Sequence, residues 1–430
     1  MNILWITNIP IPEASKLLNE KPLYQGGWLI NTSKELSSKD GISLSIAFPQ
    51  KGVDSYKKLV GKNITYYGFK PVNDKDKNTI KHNQILQRII SDVNPDIVHI
   101  HGTEMAHSLS TVNICRKENI EFIISIQGLV SIIAKHIYSN LPNRVVKSMT
   151  IRNILMKDNV KNLKKLYTLR GKNEIESIKK AKHVIGRTTW DRACTHQINN
   201  SIEYHFCNET LRDEFYKNYW NIDKCEKYSI LLSQVHYPIK GLHYVLEAMP
   251  HIISEFPKTK LYITGNNITK SDSIKDKLSI TYYGKYIKGL VKKYGLEEHI
   301  KFLGPLGEKE MCERYLSSNV FVCPSSIENS PNSLGEAMLL GVPCVASNVG
   351  GIPDLLVHKK EGFLYPADAP YMLAHYICEI FKSRELANEF SENGRNHALN
   401  LYNKNQNNGN MIEIYKRILG DNKIKGDRDV

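Results

Sequence analysis

Residues Asn319–Ser347 read NVFVCPSSIENSPNSLGEAMLLGVPCVAS. A short apolar run ends at Pro324, a polar segment follows, SLGEAMLLG is helical in pattern, and PCVAS closes on a second apolar run. Strand, loop, helix, strand is the order that a parallel sheet produces. In such sheets ligands bind beyond the C-terminal strand ends, so the chemistry is expected in the loop Ser325–Asn332. Two carboxylates mark it, Glu328 in the loop and Glu336 one turn inside the helix, with seven residues between them. Pro331 suits the first helical position after a Ser330 cap. In that register the amides of Asn332, Ser333 and Leu334 face the loop and form an anion pocket suited to phosphate. A carboxylate beside a phosphate is unfavourable unless it has hydroxyls to hold, and sugar or ribose hydroxyls meet that need. The same letters also fit a ligand-free arrangement, with Ser333 and Glu336 as an S-x-x-E capping box.

The flanking chain repeats the pattern. In the first half NILWIT, LSIAF, DIVHIHG and EFIISIQG are strand-like runs separated by helical stretches such as Thr32–Ser38 and Asn83–Val93, and AKHVIGRT reads as the last strand of that half. The second half restarts with YSILLSQ, followed by KGLHYVLEAMPHII, KLYITGN, a helix around Ile287–Tyr294, IKFLG and EKEMCERYLSS. Two Rossmann-like halves in tandem are expected, residues 1–210 and 225–400, joined near Cys207–Lys227. A helix over residues 402–419 is a candidate to pack back on the first domain, and residues 420–430 are expected to fray.

The chain has 430 residues, 41% of them apolar, enough for two cores. No apolar run is long enough to span a membrane. The start MNILWITNIP reads as a first strand rather than a secretory leader. Eight scattered cysteines without a CxxC pair point to reduced core residues of a cytosolic protein, not to disulfides or zinc. The net charge is +14, and the segment 144–182 carries twelve Lys or Arg against three acids. Within it Ile151–Leu169 reads as one basic amphipathic helix. Such a helix either lies on an anionic membrane surface or packs its apolar stripe on its own domain. Nucleic acid is disfavoured, because no binding motif is present and the aromatic residues do not interleave with the basic ones.

Taken with its context, PSSIENSPNSLGEAMLLGVPCVASNVGG resembles the E-x7-E region of the family 4 retaining glycosyltransferases, which have the GT-B fold. The order of Gly26-Gly27, PDIVHIHG, Lys240-Gly241, IKFLG and EGFLY agrees along nearly the whole chain. The resemblance implies an α/β protein with two Rossmann-like domains facing each other across a cleft. It implies a nucleotide-sugar donor as substrate, UDP-linked by preference, with no cofactor and no metal. Glu336 matches the family's ribose-binding acid, Glu328 the acid that contacts the transferred sugar, and Lys240 the lysine that neutralises the diphosphate. Gly26 and Gly27 match the loop closing over the donor, and Asn332, Ser333 and Leu334 supply amides.

Two positions depart from the family's pattern. Gln234 stands where an arginine is usual, with His236, Lys285 and Arg187 as alternative sources of the second cation. Gln127 stands where the family carries a histidine, and a glutamine can orient a sugar but cannot take a proton. His101 is near in the pattern. The reading is a retaining hexosyltransferase acting at the cytosolic face of a membrane on a polysaccharide or lipid-linked glycan. The rivals are a nucleotide-sugar epimerase of the same fold, with His101 as its acid or base, and a donor-binding protein without catalysis. An oxidoreductase is disfavoured, because no GxGxxG follows the first strand.

Overall fold

Short β-rich runs set the frame of both sheets in the computed structural model, which describes residues 1–21, 26–72 and 80–426. The first sheet holds eight strands: β1 Asn2–Ile6, β2 Ser43–Pro49, β3 Tyr56–Val60, β4 Ile64–Phe69, β5 Ile97–His101, β6 Glu121–Ser125, β7 His183–Gly186 and β8 Glu203–Phe206. Their order is β3-β4-β2-β1-β5-β6-β7-β8. All neighbours are parallel except the edge pair β3–β4. Central strands such as β5 are buried on both faces, as expected of a sheet covered by helices on both sides. AKHVIGRT is therefore not the last strand; EYHF follows it at the edge, too short and too polar to stand out in the sequence.

The C-terminal helix Lys404–Gly426 inserts Met411, Ile414, Tyr415 and Ile418 into the core beside Ile3, Trp5 and Ile46. The helix runs to Gly426, and residues 427–430 lie outside the described residues. Tyr415 Oη accepts from Trp5 Nε1 at 3.1 Å and lies 2.5 Å from His99 Nδ1. The other ring nitrogen of His99 meets Ser125 Oγ at 2.6 Å. Burial lowers the His99 ring to about 3, so it is neutral and depends on these partners. Tyr415→Phe should destabilise the protein by about 1–3 kcal/mol, the cost of stranding buried polar groups; an unchanged urea midpoint would contradict the role of this hydroxyl.

The second sheet comprises β9 Glu226–Ser233, β10 Lys260–Thr264, β11 Ile300–Gly304, β12 Ser318–Cys323, β13 Cys344–Ser347 and β14 Gly362–Tyr365. The order is β11-β10-β9-β12-β13-β14, parallel throughout. The helices Leu242–Glu255, Glu308–Leu316, Asn332–Leu340 and Pro370–Lys382 connect or follow these strands.

By packing, the chain divides into one unit of residues 1–132, 167–211 and 402–430, and another of 133–166 and 212–401. The segment Ile133–Leu166 thus departs from the expected 1–210 domain. It is held in the second unit by long-range bonds: His243 Nε2 and Tyr244 Oη each reach Ser139 O at 2.9 Å, and Tyr282 N donates to Asn153 Oδ1 at 3.0 Å.

The single amphipathic helix expected over 151–169 is also corrected. Two helices, Ile151–Met156 and Val160–Lys180, flank a break where Lys157 adopts φ 54°. Arg152 Nε and Asn153 Nδ2 both donate to Asp158, at 2.8 and 2.7 Å, and close that turn. Periodicity reads through such a break because the apolar spacing nearly continues across it.

Candidate functional site

The site begins where β9 and β12, neighbours in the second sheet, end side by side. From β9 the chain passes Gln234 into a 3-10 turn, Pro238–Lys240, and then into the helix Leu242–Glu255. From β12 it runs through Pro324–Pro331 into the helix Asn332–Leu340. Ser326 N donates to Ile239 O at 2.7 Å and ties the two loops together. Gly241, at φ 74°, lies so close to Pro324 that a β-carbon would overlap its carbonyl oxygen. This explains the Lys-Gly pair: the glycine permits the approach, and the lysine uses it.

Lys240 Nζ donates to Glu328 Oε1, and Ser325 Oγ donates to the same oxygen at 2.8 Å. The Lys240 side chain is 31% exposed and that of Glu328 14%, so the pair is reachable but largely desolvated. From the far side Gly351 N donates to Glu328 O at 3.1 Å, and Ser347 Oγ donates to Ser325 O at 2.6 Å. Gly350 adopts φ 54°, and a β-carbon there would overlap the Glu328 carbonyl. Gly350→Ala should therefore lower stability by about 1–3 kcal/mol or more through backbone strain and displace Glu328. Chemical denaturation checks this, and a wild-type midpoint would contradict it.

Glu336 is buried on the helix that follows, and its partner was not foreseen. Arg212 approaches through Nε at 2.9 Å and Nη2 at 2.8 Å, both to Oε1. Burial raises the Glu336 carboxyl above its ordinary range, while Arg212 pulls it back. The helix starts one residue later than expected: Pro331 is the N-cap, without a side-chain cap bond, so Ser330 does not cap it. Proline has no side-chain acceptor to offer the first helical amides, and its ψ of 114° turns the chain into the helix. Ser333 and Glu336 do not form a capping box. Of the three amides expected to face an anion, that of Leu334 is bonded to Pro331 O at 3.0 Å; Asn332 and Ser333 occupy the first two helical positions.

Gln234 is exposed just past β9 with φ 53°, its amide donating to Thr264 O at 3.2 Å. Among the alternatives for a second cation, burial and Lys240 lower the His236 ring, which is therefore neutral at neutral pH. Lys285 is exposed on the helix Tyr282–Lys293. Arg187 belongs to the first unit, where its Nη1 is 2.7 Å from Glu209 Oε2 and its Nη2 donates to Gln127 O at 3.3 Å. Gln127 Nε2 in turn donates to Glu209 Oε1 at 2.9 Å. These groups line a cavity of about 20 Å³, also bordered by Trp5, Trp28 and His101. The His101 ring is stacked on His99, and burial holds it well below its ordinary range. It is neutral there, a poor start for an acid–base residue. Gly26 and Gly27 stand at the start of the helix Gly27–Ser37 of the same unit.

The second unit thus gathers Lys240, Ser325 and Glu328 in one cluster, with Arg212 and Glu336 paired on the adjoining helix. A lysine and an arginine each neutralise one acid. Two carboxylates that each carry a cationic partner can hold hydroxyls close to a phosphate without prohibitive repulsion.

Residues 213–397, which contain Lys240, Ser325, Glu328 and Glu336, match the family described as glycosyl transferases group 1. Among the curated proteins that this chain resembles are the spore coat protein SA of Bacillus subtilis (strain 168) and the N-acetyl-alpha-D-glucosaminyl L-malate synthase of Bacillus anthracis. The first is 25% identical over 182 residues, 42% of this chain and 46% of that protein. The second is 26% identical over 207 residues, 48% of this chain and 50% of that protein. The matches therefore span half of those relatives' lengths or less.

Solved structures match across the chain. Sucrose-phosphate synthase from Thermosynechococcus elongatus aligns with a TM-score of 0.71 at 16% identity, covering 97% of this chain and 99% of that one. Anabaena Alr3699/HepE, solved in complex with UDP-glucose, aligns with a TM-score of 0.67 at 14% identity, covering 96% and 99%. The fold is GT-B, with two Rossmann-like domains.

Proposed function

We propose that this protein is a retaining glycosyltransferase. It moves a hexose-type sugar from a nucleoside-diphosphate sugar, UDP-linked by preference, to a polysaccharide or lipid-linked glycan. The observation that carries this reading is the Lys240–Glu328–Ser325 cluster at the ends of β9 and β12, inside the region matched by the family. In this reading Lys240 offsets the charge developing on the departing diphosphate, the kind of stabilisation that dominates such reactions. Glu328 holds hydroxyls of the transferred sugar, and Glu336 those of the ribose. Gly26, Gly27 and Gln127 take the family's roles in donor and sugar binding. The bond from the anomeric carbon to the phosphate oxygen breaks as the acceptor oxygen attacks from the same face, and the acceptor proton passes to the leaving phosphate. No separate carboxylate nucleophile is invoked. A product of inverted configuration would dispose of this mechanism.

The donor is tested by thermal shift against UDP, GDP, ADP, CMP and their sugars, without added metal. Stabilisation by one nucleotide family supports the reading and names the base; no shift from any would overturn a preformed donor site.

A peripheral membrane contact at the cytosolic face is part of the same reading, centred on the short helix Ile151–Met156. Ile151, Ile154, Leu155 and Met156 are 57–75% exposed. Lys147, Arg152 and Lys157 stand beside them in the sequence. Exposed apolar side chains flanked by cations suit an anionic lipid surface. No helix among the described residues is long and apolar enough to cross a membrane. Co-sedimentation with phosphatidylserine-containing vesicles but not with neutral ones is expected, and equal behaviour with both would contradict the contact.

A further inference from the structure

The edge strands β7 and β8 of the first unit bring together three side chains that the proposed transfer does not use. His183 stands opposite Glu203 in the register, and His205 follows Glu203 two residues on. Residues two apart in a strand share a face, as do directly registered neighbours, so all three side chains project from one side of the sheet edge. His183 Nδ1 lies 3.2 Å from His205 Nε2 and 3.5 Å from Glu203 Oε2. His205 Nε2 lies 3.9 Å from Glu203 Oε1.

These separations have a simple reading. Ligands held tetrahedrally at about 2.0–2.1 Å from a zinc ion stand about 3.3–3.4 Å from one another. The separations of 3.2 and 3.5 Å bracket that figure, so small side-chain rotations place the two rings and Glu203 Oε2 around one ion. A ring-to-ring hydrogen bond accounts for the 3.2 Å contact alone. It leaves the carboxylate at 3.5 and 3.9 Å from the two rings, beyond an ordinary N–H···O bond.

We propose that His183, Glu203 and His205 form a site for a divalent transition-metal ion, zinc by ligand preference, that clips β7 to β8. Two imidazoles and one carboxylate are a ligand set that zinc accepts, with water in the fourth position. Arg417 of the C-terminal helix lies 2.9 Å from Glu203 Oε1. That leaves Oε2 for the ion and supplies the outer partner that orients a ligating carboxylate. The site lies outside the region matched by the family and is independent of the donor reading.

The test uses the full chain, stripped with a chelator and dialysed, then titrated with Co2+ alone. One equivalent is expected, with the intense visible absorption of a tetrahedral site, bleached when Zn2+ displaces it. Zn2+ should also raise the unfolding temperature. Glu203→Gln, which keeps the shape of the side chain, should weaken Co2+ binding at least about tenfold. A double variant, His183→Gln with His205→Gln, should bind none while circular dichroism confirms its fold. Absence of binding by the wild type, a weak octahedral spectrum, or equal binding by the variants would each overturn the site and leave a hydrogen-bonded histidine pair.

Discussion

Glu328→Gln is expected to reduce glycosyl transfer by about 10²-fold or more while nucleotide affinity changes little, the signature of an interaction that matters most in the transition state. The substitution is isosteric, and Ser325 Oγ, which donates to the carboxylate at 2.8 Å, can still donate to an amide oxygen. The loop should persist, because it is tied by backbone bonds from Ser326 to Ile239 and from Gly351 to Glu328. What disappears is the negative charge beside Lys240. Lys240 keeps its positive charge for a diphosphate, so binding of the nucleotide has no reason to weaken. The sugar loses its carboxylate, and with it the strongest acceptor for its hydroxyls. Steady-state transfer and calorimetric nucleotide binding separate the two effects. Wild-type turnover would remove Glu328 from the site.

Arg212→Met is expected to have the largest effect on stability, about 3–5 kcal/mol at neutral pH, because it leaves a buried carboxylate without its partner. The pair is well shielded, with side-chain exposures of 16% for Arg212 and 10% for Glu336. The loss should depend on pH in a defined direction. Burial already raises the Glu336 carboxyl, and Arg212 opposes that rise. Without Arg212 the folded-state value climbs further above the unfolded one, so the folded protein holds the proton more tightly. Stability of the variant should therefore recover as pH falls through that raised value toward the ordinary carboxylate range, and be poorest at neutral and alkaline pH. A double variant, Arg212→Met with Glu336→Gln, should regain most of the loss. Urea unfolding across pH measures this, and a pH-independent deficit would mean that the two side chains do not act as a pair.

These two residues also illustrate what a sequence reveals. Glu328 was legible because strand, loop and helix around it are local patterns of period 2 and 3.6. Gly350 and Gly241 carry backbone geometry that only glycine tolerates without strain, so VGG and KG were visible signals. Arg212 was not legible, because its partner is 124 residues away and it sits where a linker was expected. The helix start moved by one residue because Ser330-Pro331 fits a cap followed by a first helical turn as well as it fits the observed Pro331 cap. The assignment of 133–166 to the second unit rests on bonds from His243, Tyr244 and Tyr282, which no local spacing encodes. The histidine and glutamate cluster at the edge of the first sheet needed the register of β7 on β8, which was hidden because β8 was too short and polar to recognise.

The most direct measurement is the affinity of the nucleotide that best stabilises the protein, UDP by preference, determined by calorimetry on the wild type and on Glu336→Gln. Binding by the wild type, weakened by about 1–3 kcal/mol in the variant, is predicted from the loss of a charged hydrogen bond to ribose hydroxyls. Equal affinity in the two proteins would contradict the placement of the donor nucleotide at the start of the helix Asn332–Leu340.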